Sequence, residues 1–125
     1  MKVAVGIGCR RDCPADAVEA LVRQALGQAA NAAPFGLFTV ADKQSERGLI
    51  EAAGRLGLGL TYLSRETLRE REPDIQTHSP HAQRLLGVPS VAEAAALAGA
   101  GSGSVLVVAR IAAGGATCAV ARVAP

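Results

Sequence analysis

The residues best equipped for chemistry sit together near the start of the chain, where Gly6, Gly8, Cys9, Arg10, Arg11, Asp12 and Cys13 run directly into Pro14. Glycines allow a tight turn and let a ligand approach the backbone. The two guanidinium groups are forked donors suited to carboxylate or phosphate. An apolar run from Lys2 to Ile7 precedes this turn and an amphipathic segment follows it, so the pattern reads strand, turn, helix. A helix opening there offers unpaired N–H groups and the positive end of its dipole. The chemistry implied is anion binding. The plainer alternative is that the glycines only turn the chain and the arginines are solvated surface charge. Dinucleotide binding fits less well: G-x-G is present, but Arg11 occupies the third glycine position that close helix–strand packing requires. No G-K-[ST] follows, so the turn is not a P-loop.

Other polar groups are more ambiguous. Asp42, Lys43 and Glu46 fall at a strand-to-helix turn, where capping and solvation compete with ligand contact. Ser79 and Ser90 lie beside prolines and read first as N-caps and second as ligand contacts, and Glu93 completes a capping box with Ser90. Cys9 and Cys13 are separated by three residues with no second pair, and His78 and His81 lie in a loop, so solvation and structural use outweigh metal ligation. No metal or other cofactor is expected. Cys118 falls within an expected strand and reads as core. No G-x-S-x-G occurs, and no nucleophile–base–acid set is recognisable.

The chain of 125 residues is most simply one domain, 1–125, long enough to bury a core. Half of it is hydrophobic, yet it has one Tyr, two Phe and no Trp, so a flat ligand would meet aliphatic walls. That disfavours single-stranded nucleic acid. Thirteen basic against eleven acidic side chains leave a net charge of +2, too balanced for a general polyanion surface. No signal-peptide pattern opens the chain and no uncharged apolar stretch reaches about 18 residues, so the expectation is a cytoplasmic protein that neither crosses nor enters a membrane. Three cysteines, an odd number, argue against a disulfide framework.

The elements that must position these groups follow from periodicity. Val18, Leu21, Val22, Ala25, Leu26 and Ala29 share one face of a helix from Pro14 to Ala30, with Cys13 expected at its N-cap and Asp16 as the reciprocal cap. Phe35 to Ala41 reads as a strand, Ser45 to Leu56 as a helix ending at Gly57, Leu58 to Leu63 as a strand, and Ser64 caps a short helix to about Glu70. Arg71 to Val88 reads as a long loop with a helical turn or two after Ser79-Pro80 and a stop at Gly87, of a length often used as a lid. Ser90 opens an alanine-rich helix to about Ala98, Gly99 to Gly103 connects, and Ser104 to Ile111 with Ala116 to Val123 form a hairpin about Gly114-Gly115. The fold expected is α/β: a single three-layer domain with a mixed, mainly parallel sheet, helices on both faces and a C-terminal β-hairpin. Ligands bind such sheets beyond the carboxyl ends of the strands, which would gather the turn at Gly6 to Pro14, the Asp42-Lys43 turn and the following loops on one edge.

Three stretches, V-G-I-G-C-R-R at Val5 to Arg11, K-Q-S-E-R-G-L at Lys43 to Leu49 and G-V-P-S-V-A-E-A-A-A-L at Gly87 to Leu97, resemble the CbiG C-terminal domain family of cobalamin biosynthesis, which includes free-standing CobE proteins. The chain departs from the family pattern at Asp12, where relatives often have glycine, and at Cys13, where they often have Ser or Thr. The resemblance implies a cytoplasmic protein of corrin-ring synthesis that handles modified tetrapyrroles. Longer relatives carry a further N-terminal domain, and the whole protein opens a lactone on a cobalt-precorrin with release of acetaldehyde; the present chain is similar in extent to the free-standing form. A precorrin bears acetate and propionate side chains around an apolar macrocycle, which calls for arginine forks, helix N-termini and aliphatic walls.

The combined expectation is a protein that binds a corrinoid or precorrin intermediate or delivers it to other corrin-pathway enzymes, through Gly6, Gly8, Cys9, Arg10, Arg11, Asp42, Lys43, Glu46, Ser79, Ser90 and Glu93. The alternative is a hydrolase in which one carboxylate activates water to open a precorrin lactone.

Overall fold

The computed structural model describes residues 1–125. Strands β1 (Lys2–Cys9), β2 (Ala33–Val40), β3 (Leu60–Leu63), β4 (Val105–Ala113) and β5 (Ala116–Arg122) form one sheet in the order β3-β2-β1-β5-β4. The pairs β1–β2 and β2–β3 are parallel, while β1–β5 and β5–β4 are antiparallel. Only β5 therefore runs against the other strands, and the carboxyl ends of β1, β2, β3 and β4 share one edge. This is the mixed sheet with a closing hairpin that the alternation of patterns predicts.

Side-chain size along β1 decides what packs on each face. Val3, Val5 and Ile7 point to one side, where with Val120 and Leu37 they meet helices α1 (Ala15–Gly27) and α2 (Arg47–Leu56) through Val18, Leu21, Val22 and Leu49. Ala4, Gly6 and Gly8 alternate to the other side, beside Ala119 and Ala121 of β5. That shallow face lets the alanine-rich helix α5 (Val91–Ala100) approach closely: a Cβ on Gly6 would lie 1.9 Å from the Ala92 carbonyl oxygen, far closer than van der Waals contact allows. Gly6, expected from sequence among the ligand-binding residues, thus serves the packing of α5 and does not line the cavity described below. Helices α3 (Arg65–Arg69) and α4 (Pro80–Leu86) lie between β3 and α5 in the chain. No helix is long and apolar enough to cross a membrane.

Several local expectations hold at the level of single hydrogen bonds. The hydroxyls of Ser64, Ser79 and Ser90 accept from the N–H groups of Thr67, Ala82 and Glu93 and open α3, α4 and α5. Gly57 and Gly87 end α2 and α4 at φ of 68° and 76°. Other expectations fail. The N-cap of α1 is Pro14, not Cys13, and no side chain caps it. The Cys13 thiol instead faces the Gly114 carbonyl at 3.5 Å, and Asp16 reaches Arg55 of α2 at 2.5 Å. Proline at that position is compatible because its extended φ and ψ of −69° and 147° suit a cap. Gly99 belongs to α5, where the Phe38 ring fills the space a side chain would need.

Candidate functional site

A cavity of about 880 Å³ opens at the carboxyl edge of the sheet. Its floor is the end of β1, Gly8 and Cys9, which pairs antiparallel with the start of β5 through Gly8↔Thr117 and Cys9↔Ala116. Arg10 and Arg11 stand in the turn beyond, and the Arg10 N–H is tied to the Gly115 carbonyl at 2.8 Å. Lys43 enters from the 3-10 turn after β2. Ser79, His81, Leu85 and Leu86 contribute the α4 wall, and Ser90 and Val91 the N-terminus of α5. Arg110, Ala112 and Ala113 of β4 close the far side.

Seven of the residues expected from sequence therefore meet here: Gly8, Cys9, Arg10, Arg11, Lys43, Ser79 and Ser90. Asp42, Glu46 and Glu93 do not line the cavity. Asp42 forms a two-pronged ion pair with Arg65 at 3.1 and 2.7 Å, and this guanidinium holds its carboxyl below the usual carboxylate range. Glu46 is buried and accepts the Asp12 N–H at 2.7 Å. Asp12 has a φ of 60°, the left-handed region in which glycine is at ease. The Asp12 N–H donated to Glu46 thus helps hold an L-residue in a conformation in which glycine is at ease.

Glu93 is fully buried, and all its hydrogen bonds are internal. One oxygen accepts from the N–H groups of Gln76 and Thr77 at 2.7 and 3.0 Å, the other from the Thr77 hydroxyl at 2.6 Å and the Arg110 N–H at 2.8 Å. Burial alone would raise its pKa, but these donors prevail and the net shift is downward. The expected capping box is therefore half-formed. Ser90 caps Glu93, whereas the Glu93 carboxylate joins three separate segments behind the cavity: α5, the strand β4 and the chain at 76–77.

Arg110 is the cationic residue that the sequence pattern conceals. Register shifts between Leu106 and Val108 and between Val108 and Ile111 bulge β4, and the second of these frees the Arg110 N–H from the ladder for Glu93. A charged residue interrupting V-L-V-V-A-R-I-A-A was the available signal. The apolar wall from Leu85 and Leu86 was equally unforeseen: α4 has no fully buried residue, Leu85 is exposed at the cavity, and Leu86 lines it while packing half-buried against the core on the α5 face.

The electrostatics are one-sided. Arg10, Arg11, Lys43 and Arg110 line the cavity, and no Asp or Glu does. The ion pairs of the molecule use other cations, Arg23, Arg55, Arg65 and Arg71. The start of α1, expected to serve this site, instead faces a separate cleft of about 430 Å³ of mixed charge, with Asp16, Glu51, Arg47 and Arg55. The Cys9 thiol is pushed up to about 11 by burial, against a smaller opposing pull from Lys43, so it stays a neutral thiol at the cavity floor. Cys118, fully buried in β5, is pushed up to about 12 by the same cause.

The proposed lid divides into a fixed and a free part. Arg71 is anchored to the carbonyls of Leu97, Gly101 and Ser104 and to the Ser104 hydroxyl, at 2.7 to 2.9 Å, which also satisfies the end of α5. Ile75 is buried, and Glu93 holds Gln76 and Thr77. Beyond them the Ser79 N–H meets the Pro89 carbonyl at 2.9 Å, closing the base of a flap made of α4 alone.

The fold is thus a single α/β domain with a mixed sheet, whose carboxyl strand edge carries a cavity lined by four cations and a run of aliphatic side chains. Residues 3–121 match the family described as Cobalamin synthesis G C-terminus; the chain belongs to this family and is a protein of cobalamin biosynthesis. It is 34% identical over 122 residues to Protein CobE of Sinorhizobium sp, covering 95% of this chain and 79% of that protein. Its fold is similar to the crystal structure of CobE, a protein from the cobalamin (vitamin B12) biosynthetic pathway, with a TM-score of 0.90 and 35% identity over 97% of this chain and 89% of that one. It is also similar to cobalamin biosynthesis protein chiG from Agrobacterium tumefaciens str. C58, with a TM-score of 0.76 and 34% identity over 98% of this chain and 99% of that one.

Proposed function

We propose that this protein binds a corrin-ring intermediate and delivers it to another enzyme of the pathway without changing it chemically. The observation that carries this reading is the cavity itself: three arginines and a lysine without acidic partners, beside a wall of Leu85, Leu86, Val91 and alanines. Forked cations suit peripheral carboxylates, and the aliphatic wall suits the face of a macrocycle. The volume of about 880 Å³ is at the upper end of ordinary small-molecule sites, as a tetrapyrrole requires.

Hydrolysis of a lactone would call for a base near the reacting water. The carboxylates offered by the sequence for that role are engaged elsewhere, Asp42 with Arg65 and Glu93 with four donors. Cys9 at the cavity floor is held as a thiol rather than the nucleophilic thiolate. These placements favour binding over catalysis.

Spectral titration of the protein with a panel of purified corrinoid intermediates, combined with an acetaldehyde assay on the lactone-bearing precorrin, tests the reading. Saturable binding with acetaldehyde at the protein-free rate is expected. Release well above that rate would make the hydrolase the better account.

A further inference from the structure

We propose that Glu93 is the positioning residue of the cavity: its buried carboxylate holds the β4 bulge that turns Arg110 toward the ligand, and it also fixes the root of the α4 flap. The two faces of β4 show why the bulge matters. Val108 pairs with Val120 and Ile111 with Cys118, so Ala109 and Arg110 together oppose Ala119. Val108, Val120 and Cys118 belong to the core beneath α1 and Ile111 packs against it, whereas Ala119 belongs to the core beneath α5. In an unbroken strand Arg110 would follow Val108 by two residues and point to the α1 side, into that apolar core. The extra residue re-aims it to the side of α5, where it lines the cavity.

The bulge takes the Arg110 N–H out of the ladder, and one oxygen of Glu93 accepts it at 2.8 Å. The other oxygen takes the N–H groups of Gln76 and Thr77, just before the flap opens at Ser79. Backbone N–H groups cannot reverse into acceptors, so both oxygens must accept, which a carboxylate does and an amide or an apolar side chain does not. Packing alone does not call for this residue. The other buried residues of α5 are Val, Ala and Leu, and burying a carboxylate costs more than burying any of them. Moreover, each of the three segments that Glu93 ties carries part of the cavity lining: the start of α5 through Val91, β4 through Arg110, and the chain leading into α4 through Ser79.

One arm of the test rests on the reading that the cavity holds a corrin-type ring, and titrates dicyanocobyrinic acid into the full chain by calorimetry. Arg110→Ala should weaken this probe about tenfold, as loss of a charge-assisted hydrogen bond predicts, and Glu93→Gln should weaken it about fivefold while Arg110 is present. In the Arg110→Ala background Glu93→Gln should change affinity by less than about twofold, because it acts through Arg110. Losses that multiply would mark a merely structural carboxylate and overturn the proposal. The second arm needs no ligand: in a crystal structure of Glu93→Gln, Arg110 is expected out of the cavity with residues 76–77 in place. An unmoved Arg110 would overturn the proposal. Glu93→Asp keeps the charge but is too short to span both sets of donors, and it takes the place of Glu93→Gln if that variant does not fold, with the same outcomes expected. Loss of the fold in both would make the carboxylate structural and overturn its role. Wild-type protein that does not bind the probe would overturn the corrin reading alone, and the crystal structure then decides on Glu93.

Discussion

Replacing Glu93 by glutamine removes one charge and turns one acceptor oxygen into an NH₂ group, at a fully buried position where four donors converge. The least costly orientation keeps the amide oxygen toward the Gln76 and Thr77 N–H groups and points the NH₂ at the Thr77 hydroxyl, which can rotate and accept. The Arg110 N–H then faces a donor and is stranded. One unsatisfied buried donor costs about 1–3 kcal/mol, and the two remaining bonds lose their charge assistance, so a total near 2–4 kcal/mol is expected. For a chain of this size that corresponds to a melting temperature lower by roughly 6–15 °C. Acid pH supplies an internal check. The folded-state pKa of Glu93 lies below its unfolded value, so its contribution is complete above about pH 4.3 and is lost as pH falls through the folded-state pKa. The stability gap between wild type and Glu93→Gln should be constant near neutrality and shrink below about pH 4. Urea denaturation of both proteins from pH 7 to pH 3 measures it. Equal midpoints at pH 7, or a gap that widens on acidification, would refute the role assigned to this carboxylate.

Other outcomes follow from the same geometry. Arg10→Ala and Arg11→Ala should each weaken corrinoid binding by roughly 1–3 kcal/mol with melting temperature unchanged, because both side chains are exposed and unpaired; unaltered affinity in both variants contradicts the site. Amide exchange should be slow at residues 71–77 with or without ligand and fast at 79–87 until ligand is added, since α4 buries no side chain; equal protection of α4 in both states would rule out a flap. Gly6→Ala should prevent stable folding by driving α5 off the sheet, a result read from the circular dichroism of the variant, and a wild-type melt would count against that packing. With its pKa near 11, Cys9 should alkylate at pH 8 on the order of a hundredfold more slowly than a free thiol, and labelling of Cys9 as fast as a free thiol would show the floor to be solvated.

The parts of the molecule legible in the sequence are those set by neighbouring residues. Ser64, Ser79 and Ser90 announce their helices because a cap needs only its own N–H groups three residues on. The alternation of large and small residues in Val3 to Gly8 likewise marks a strand with two unlike faces. The lining of the cavity was legible at Gly8 to Arg11 and at Lys43, where strand ends and cations coincide. It was not legible wherever a partner distant in sequence decides the outcome. Glu93 has the spacing of a capping box, yet Gln76, Thr77 and Arg110 outbid the local backbone for its oxygens. Cys13 has the position of a cap, but the Gly114 turn, brought against it by the hairpin, takes its thiol. Arg110 is marked locally only as a charge within an apolar strand; that its N–H leaves the ladder depends on a bulge set by the pairing of two strands.

The central claim is that one cavity, between the glycine turn, α4 and the bulged strand β4, holds the corrin ligand. Mapping amide chemical shifts by NMR while a free-carboxylate corrin is titrated in tests it most directly. Saturable changes are expected at Gly8 to Arg11, Lys43, Ser79 to Leu86 and Arg110 to Thr117, with little change along α1 and α2. Perturbations centred on the separate cleft at Asp16, Arg47 and Arg55, or no saturable change at the carboxyl edge of the sheet, would contradict it.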